Sequence, residues 1–198
     1  INGWHVEVQE DGSLRLLERQ GRAFSNAWLG RLVYEVYSAK TVFDNLEAYN
    51  RELERTRVWA EGDFAKPGLD KVADLQDGAY SYSVTGVEQQ GDGLRVYLRA
   101  NETAGERFGA PRVVVVSYLF GEKLGVELCW HQKDASRIPE GLFFGFNLDF
   151  QEGQAITLCK LDQDINPYQV REGGNRKLHA SPRIRWEGGQ LNSCHAPL

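Results

Sequence analysis

Leu142-Phe143-Phe144-Gly145-Phe146-Asn147-Leu148-Asp149-Phe150 carries a large apolar side chain at every second position. Successive side chains of a strand point to opposite faces, so Leu142, Phe144, Phe146, Leu148 and Phe150 line one face. That period of two decides the fold class. Pro139 stands just before the stretch, where a missing N–H costs a strand least.

Outward from this stretch the same period persists. Tyr80–Val87 and Leu94–Ala100 flank Gln90-Gly91-Asp92-Gly93, a hairpin signal. Val113–Leu119 is a continuous apolar run, which predicts a central strand buried on both faces. Gly125–His131 follows a turn at Gly121-Glu122-Lys123, and Ala155–Leu161 and Pro182–Trp186 come later. At the start, Trp4–Gln9 and Leu14–Glu18 flank Asp11-Gly12, with Trp4, Val6 and Val8 inward and His5 on the wet face. Leu29–Tyr37 is a further strand.

One segment has helical spacing: Phe43, Leu46, Tyr49, Asn50 and Leu53 fall on one side of a wheel. Thr41 with Asp44 three residues on resembles a capping box. Gly62 and Pro67-Gly68 end the helix, and residues 61–78 read as a surface loop. At least nine short strands around one helix predict an all-β, antiparallel sandwich. The expected organisation is a single domain over residues 1–198 with a helical insertion at about 40–60.

With 23 Lys and Arg against 28 Asp and Glu, the net charge is −5, which argues against nucleic acid or an anionic membrane as partner. The charge is uneven. Residues 165–198 hold Arg171, Arg176, Lys177, Arg183 and Arg185 against Glu172 and Glu187, so this end is basic. No apolar run approaches the roughly 18 residues of a membrane span, and no signal peptide is read at the start. Three cysteines (Cys129, Cys159, Cys194) without metal-like spacing point to a reducing compartment, so a cytoplasmic location is expected. The chain begins at Ile1 and contains no Met, so it is expected to be a piece of a longer protein.

The opening VEVQEDGSLRLLERQGRAFSNAWLGRLVYEVYS resembles the start of the β-domain that follows the catalytic barrel in α-mannosidases of glycoside hydrolase family 38. Four further stretches, TVFDNLEAYNRE with DFAKPGL, ELCWHQKDASRIPEGLFFGF and REGGNRKLHA, resemble a mannosidase-like relative of that family, a domain of unknown function. These motifs run in order along essentially the whole chain. The resemblance implies a supersandwich of the galactose mutarotase type and an α-mannosidase-like parent. It also implies that zinc and the nucleophile belong to the barrel that covalently precedes this region. No His-x-Asp metal motif occurs between Ile1 and Leu198, so no catalytic residue carries over and neither metal nor cofactor is expected here. His195 in SCHAPL stands where the family usually has Asp, which removes that carboxylate.

The best site candidate is Arg171-Glu172-Gly173-Gly174-Asn175-Arg176-Lys177-Leu178-His179. Gly173-Gly174 permits conformations that expose consecutive N–H groups, and Arg171, Asn175, Arg176 and His179 add donors suited to carboxylates or sugar hydroxyls. These four are expected to touch the missing barrel or its substrate; a solvated hairpin turn explains the same residues. Glu127, Cys129 and His131 project from one strand face, but three ligands two apart span about 13 Å, too far for one ion. Lys133, Asp134, Arg137 and Glu140 offer an acid and a base; the bland reading has Glu140 satisfying a loop or the Arg137 fork. Trp28, Trp59, Trp130 and Trp186 lie in or beside apolar stretches and read first as core.

The sequence thus leads to a non-catalytic accessory domain of an α-mannosidase-like glycoside hydrolase. A stand-alone carbohydrate-binding module is the alternative, and would show solvent-exposed aromatics on a concave face. A mutarotase-like epimerase needs His and Glu facing across a cleft. Its only candidates are His131 or His179 with Glu127 or Glu140.

Overall fold

In a computed structural model the described residues are 1–50, 57–64, 66–148, 154–169 and 181–195. They divide into two compact units, Ile1–Asp149 and Phe150–Leu198, where the sequence suggested one domain. Each unit forms its own antiparallel sheet, which is the physical basis of the division.

The first unit contains β1 (Trp4–Val8), β2 (Leu14–Arg19), β3 (Arg22–Val36), β4 (Gly78–Gln90), β5 (Gly93–Ala100), β6 (Val113–Phe120), β7 (Leu124–His131) and β8 (Glu140–Asn147). The ladder runs β1-β2-β3-β4-β5-β6-β7, with β8 on the other edge of β3, and every pairing is antiparallel. Two long strands let this one ladder form two layers. β3 pairs with β2 through Leu29 and with β4 from Val33 onward, on the same edge. β4 leaves β3 at Ser81 and pairs with β5 from Tyr82. The result is the antiparallel β-sandwich that the period of two predicts.

The core lies between the layers. Leu14, Leu16, Leu29, Leu32, Tyr34 and Val36 from one side meet Leu94, Val96, Leu98, Val114, Val116, Tyr118 and Phe120 from the other, all buried. Burying each such side chain fully contributes about 1.5–3 kcal/mol before entropy is counted. Leu142, Phe144, Phe146 and Leu148 pack against this cluster, as their alternation requires; Phe150 lies outside the described residues. Polar ties also join the layers. The Trp4 indole donates to the Gly121 carbonyl at 3.1 Å, Asn2 donates to Phe120 O at 2.9 Å, and Arg19 reaches Glu122 O.

β6 departs from the expectation of burial on both faces. Its inward residues are fully covered, but Val113 and Val115 are half-buried and Leu119 is 64% exposed. Only one side of this sheet faces the second layer. Gly30 has φ +79°, and a Cβ there would fall 2.2 Å from the Tyr118 hydroxyl. A glycine is required where the core closes this tightly.

The helical insertion contains α1 (Ala39–Asn50) and α2 (Arg57–Phe64). Gly62 therefore lies inside a second helix, where the sequence reading placed the start of a loop. The cap is Ser38, not Thr41: Thr41 N donates to Ser38 Oγ at 3.2 Å, and Asp44 pairs with Lys40. Leu46 and Asn50 are buried, whereas Phe43 and Tyr49 are exposed; Leu53 lies outside the described residues.

The second unit is a four-stranded sheet of β9 (Ile156–Lys160), β10 (Gln163–Ile165), β11 (Arg183–Trp186) and β12 (Gly189–Asn192), in the order β10-β9-β11-β12. Buried Ser181 donates through its hydroxyl to Cys159 O at 2.9 Å, and Arg185 pairs with Asp164 at 2.5 Å.

Candidate functional site

Arg171, Asn175, Arg176 and His179 lie outside the described residues, and the functional geometry of this chain is read from its first unit. There the outward face of β3 and β8 brings together Trp28, which the sequence places first in the core, with Arg31 and Phe143, to which it assigns no role. β3 alternates, so Trp28, Arg31, Val33 and Glu35 point away from the core; opposite them stand Asn147, Gly145, Phe143 and Gly141. A Cβ on Gly145 would touch the Trp28 ring at 3.4 Å, and one on Gly141 would meet the Phe143 ring at 2.6 Å. Both rings therefore lie over bare glycine backbone. Phe143 remains 50% exposed.

Arg31 orders this face. Its guanidinium stacks 4.5 Å from the Trp28 centroid, while its Nε donates to Asp11 Oδ2 at 2.9 Å. Such a cation–π contact is worth about 0.5–1 kcal/mol at an exposed site. Asp11 also accepts from Ser13 N at 3.0 Å and Ser13 Oγ at 2.6 Å. Burial pushes the Asp11 carboxyl up, but the Ser13 hydrogen bonds and the Arg31 charge outweigh it and hold the group below its usual range. The face thus carries apolar rings and one ordered cation, while the Asn147 amide donates to Asn26 O at 2.9 Å.

A second cluster sits where β8 begins. Glu140 accepts from Lys133 Nζ at 2.9 Å and also contacts the Tyr34 hydroxyl. That hydroxyl lies 2.9 Å from Phe108 O as well, so one phenolic proton serves two acceptor oxygens. Burial, then the bond to Glu140, raises the Tyr34 phenol far above its usual range and keeps it protonated. Asp134 holds Arg112 at 2.6 Å. The acid and base candidates are thus joined to Lys133, Tyr34 and Arg112, with Lys133 taking the place anticipated for Arg137 on Glu140.

Glu127, Cys129 and His131 project together from the outward face of β7 and are exposed. His131 and Glu127 share one strand, four residues apart, so they do not face each other across a cleft. Among the described residues no three His, Cys, Asp or Glu stand close enough to hold a metal ion. Trp130 and Trp59 are exposed and Trp186 covers Gly189, so of the five tryptophans only Trp4 is buried. His5 is exposed on β1. No helix among the described residues is long and apolar enough to cross a membrane.

The antiparallel ladder folded into two layers, with an aromatic–arginine face on its outside, defines a β-sandwich domain. A family model described as a domain of unknown function, DUF5054, matches residues 1–126, well over half of the chain, and the chain belongs to that family. The matched stretch runs from β1 into the middle of β7. No curated protein and no solved structure matches the chain.

Proposed function

We propose that this chain is a non-catalytic accessory β-domain, which completes and stiffens the covalently preceding catalytic barrel of an α-mannosidase-like glycoside hydrolase. The observation that supports this reading is how three carboxylates of the first unit are engaged. A retaining glycosidase needs two carboxyl groups about 5–5.5 Å apart, one free to give and take a proton. Here Glu140 binds Lys133 and Tyr34, Asp11 binds Ser13 and Arg31, and Asp134 binds Arg112. Buried tyrosines brace the interior as well, with Tyr34 Oη bonded to Phe108 O and Tyr82 Oη to Pro111 O. These are the features of a stiff support. Zinc and the nucleophile belong, in this reading, to the barrel, and the parent works on carbohydrate in a reducing compartment. The complete domain would be a supersandwich of the galactose mutarotase type.

The test is hydrolysis of an aryl α-mannoside by the purified 198-residue chain, with and without added zinc. No turnover is expected. Turnover that disappears on Glu140→Gln or Glu127→Gln would overturn the proposal.

The rings of Trp28 and Phe143 favour a second reading, direct contact with carbohydrate. Sugar CH groups would lie on the rings while Arg31 donates to hydroxyls. Titration of the chain with manno-oligosaccharides, followed by tryptophan fluorescence, should then saturate, and Trp28→Ala should abolish the change. An unchanged response in that variant would exclude this face.

A further inference from the structure

β7 ends the strand order of the first unit, and among the described residues β6 is its only strand partner. Such an edge carries a row of free N–H and C=O groups, which proteins commonly blunt. β1, at the other end of the order, is blunted: its register breaks between His5 and Val6, and its Glu7 stands 3.9 Å from Arg15. Among the described residues β7 has neither device. It pairs with β6 in unbroken register over eight residues, from Phe120↔Leu124 to Val113↔His131. Its outer residues Glu127, Cys129 and His131 are exposed, and Trp130 on the opposite face is 55% exposed.

The order of these side chains is self-complementary. When a strand pairs antiparallel with its own copy about a two-fold axis normal to the sheet, outward residues must meet outward residues. The axis therefore passes through a residue, not between two. Centred on Glu127, it sets two carboxylates against each other, which destabilises. Centred on Leu128 it sets Glu127 against Cys129, and centred on Trp130 it sets Cys129 against His131. Centred on Cys129, Glu127 of each copy faces His131 of the other, and Leu128 faces Trp130, each contact made twice. An imidazole N–H donates to a carboxylate whatever the ring's charge.

We propose that β7 is an interface strand, pairing antiparallel about Cys129 with β7 of a second copy of this chain and continuing the sheet across both. This goes beyond the accessory role and does not depend on it.

The test is sedimentation of the full chain in a Cys194→Ser background, which leaves Cys129 as the exposed thiol. Directly opposed residues have Cα atoms about 4.5–5.5 Å apart, within disulfide reach. Diamide, which oxidises two thiols to a disulfide, should therefore cross-link the dimer through Cys129. Glu127→Lys and His131→Glu should each weaken dimerisation by about tenfold, since two cross-strand pairs are lost together. The double change should restore it, because the charges are then merely exchanged, and circular dichroism should show all variants folded. A monomeric chain, a dimer indifferent to the single changes, or a double variant that stays weakened would overturn the proposal.

Discussion

Val114 and Trp130 face each other across the β6–β7 ladder, yet Val114 is wholly buried and Trp130 is 55% exposed. The two strands have equal length and unbroken register, although β6 is the more apolar. They differ also in the number of neighbours. β6 has β5 on one side and β7 on the other, whereas β7 has β6 alone among the described residues. Burial thus follows position in the sheet more closely than side-chain size, and the same edge that leaves Trp130 wet makes β7 available to a partner.

The largest effects should come from the buried strand. Phe120 is 1% exposed, stands edge-on to Trp4 at 6.1 Å between centroids, and closes one end of the core. Phe120→Ala should cost about 3–5 kcal/mol in urea unfolding. Val114→Ala removes only two methyl groups, but from a site with no exposure, and should cost about 2–3 kcal/mol once the cavity is included. If Val114→Ala proves neutral, the burial gradient across this ladder is not an energetic one.

Tyr34→Phe sharpens the same comparison away from the edge. It removes the phenolic proton that serves Glu140 and Phe108 O, leaving a buried carbonyl without its partner. About 1–3 kcal/mol of stability should be lost, without change in the cooperativity of unfolding. A loss below 0.5 kcal/mol, within the range of about ±0.5 kcal/mol typical of surface changes, would show that water replaces the hydroxyl.

Asp11 should give a smaller, pH-dependent effect. Its folded pKa lies below the ordinary value of 3.8, so its contribution is full above that range and is lost as pH falls through the folded value. Melting temperature measured between pH 6 and pH 2.5 should fall less steeply for Asp11→Asn than for the unchanged chain. Parallel curves would mean that Ser13 and Arg31 do not favour the charged form.

The sequence made the period-two strands of the first unit legible because they turn one face to the core; β5 shows this best, with Leu94, Val96 and Leu98 buried between exposed Arg95 and Arg99. It misled where apolar identity and burial part company. The valines of β6 favour a strand on any face, so the run 113–119 could not show that its outer side is half-open. Phe43 and Tyr49 keep helical spacing on α1 and are nevertheless exposed. The glycine-backed rings were partly readable. Gly141 and Phe143 lie two apart on one strand face, a spacing visible in the chain, but Trp28 over Gly145 depends on a strand register 117 residues distant. The two-fold pattern of Glu127, Cys129 and His131 was equally visible. Its meaning depended on β7 being an edge, which only the strand order supplies.

The smallest expected effect tests the comparison most directly. Trp130 is the larger side chain of the Val114–Trp130 pair, and by size alone its removal should cost more. More than half of it is already in contact with water, so Trp130→Ala uncovers only the remaining part of its apolar area and leaves no closed cavity. Measured where the chain is monomeric, the change should cost about 1 kcal/mol, below the loss at Val114 despite the larger side chain. At higher concentration the same variant should dissociate more readily, because the antiparallel pairing about Cys129 sets Trp130 against Leu128 of the second copy. A large loss in the monomer would mean that Trp130 covers core after all, and the contrast between the two strands would fail. A small loss in the monomer with a weakened dimer would separate the two roles of this face in one variant.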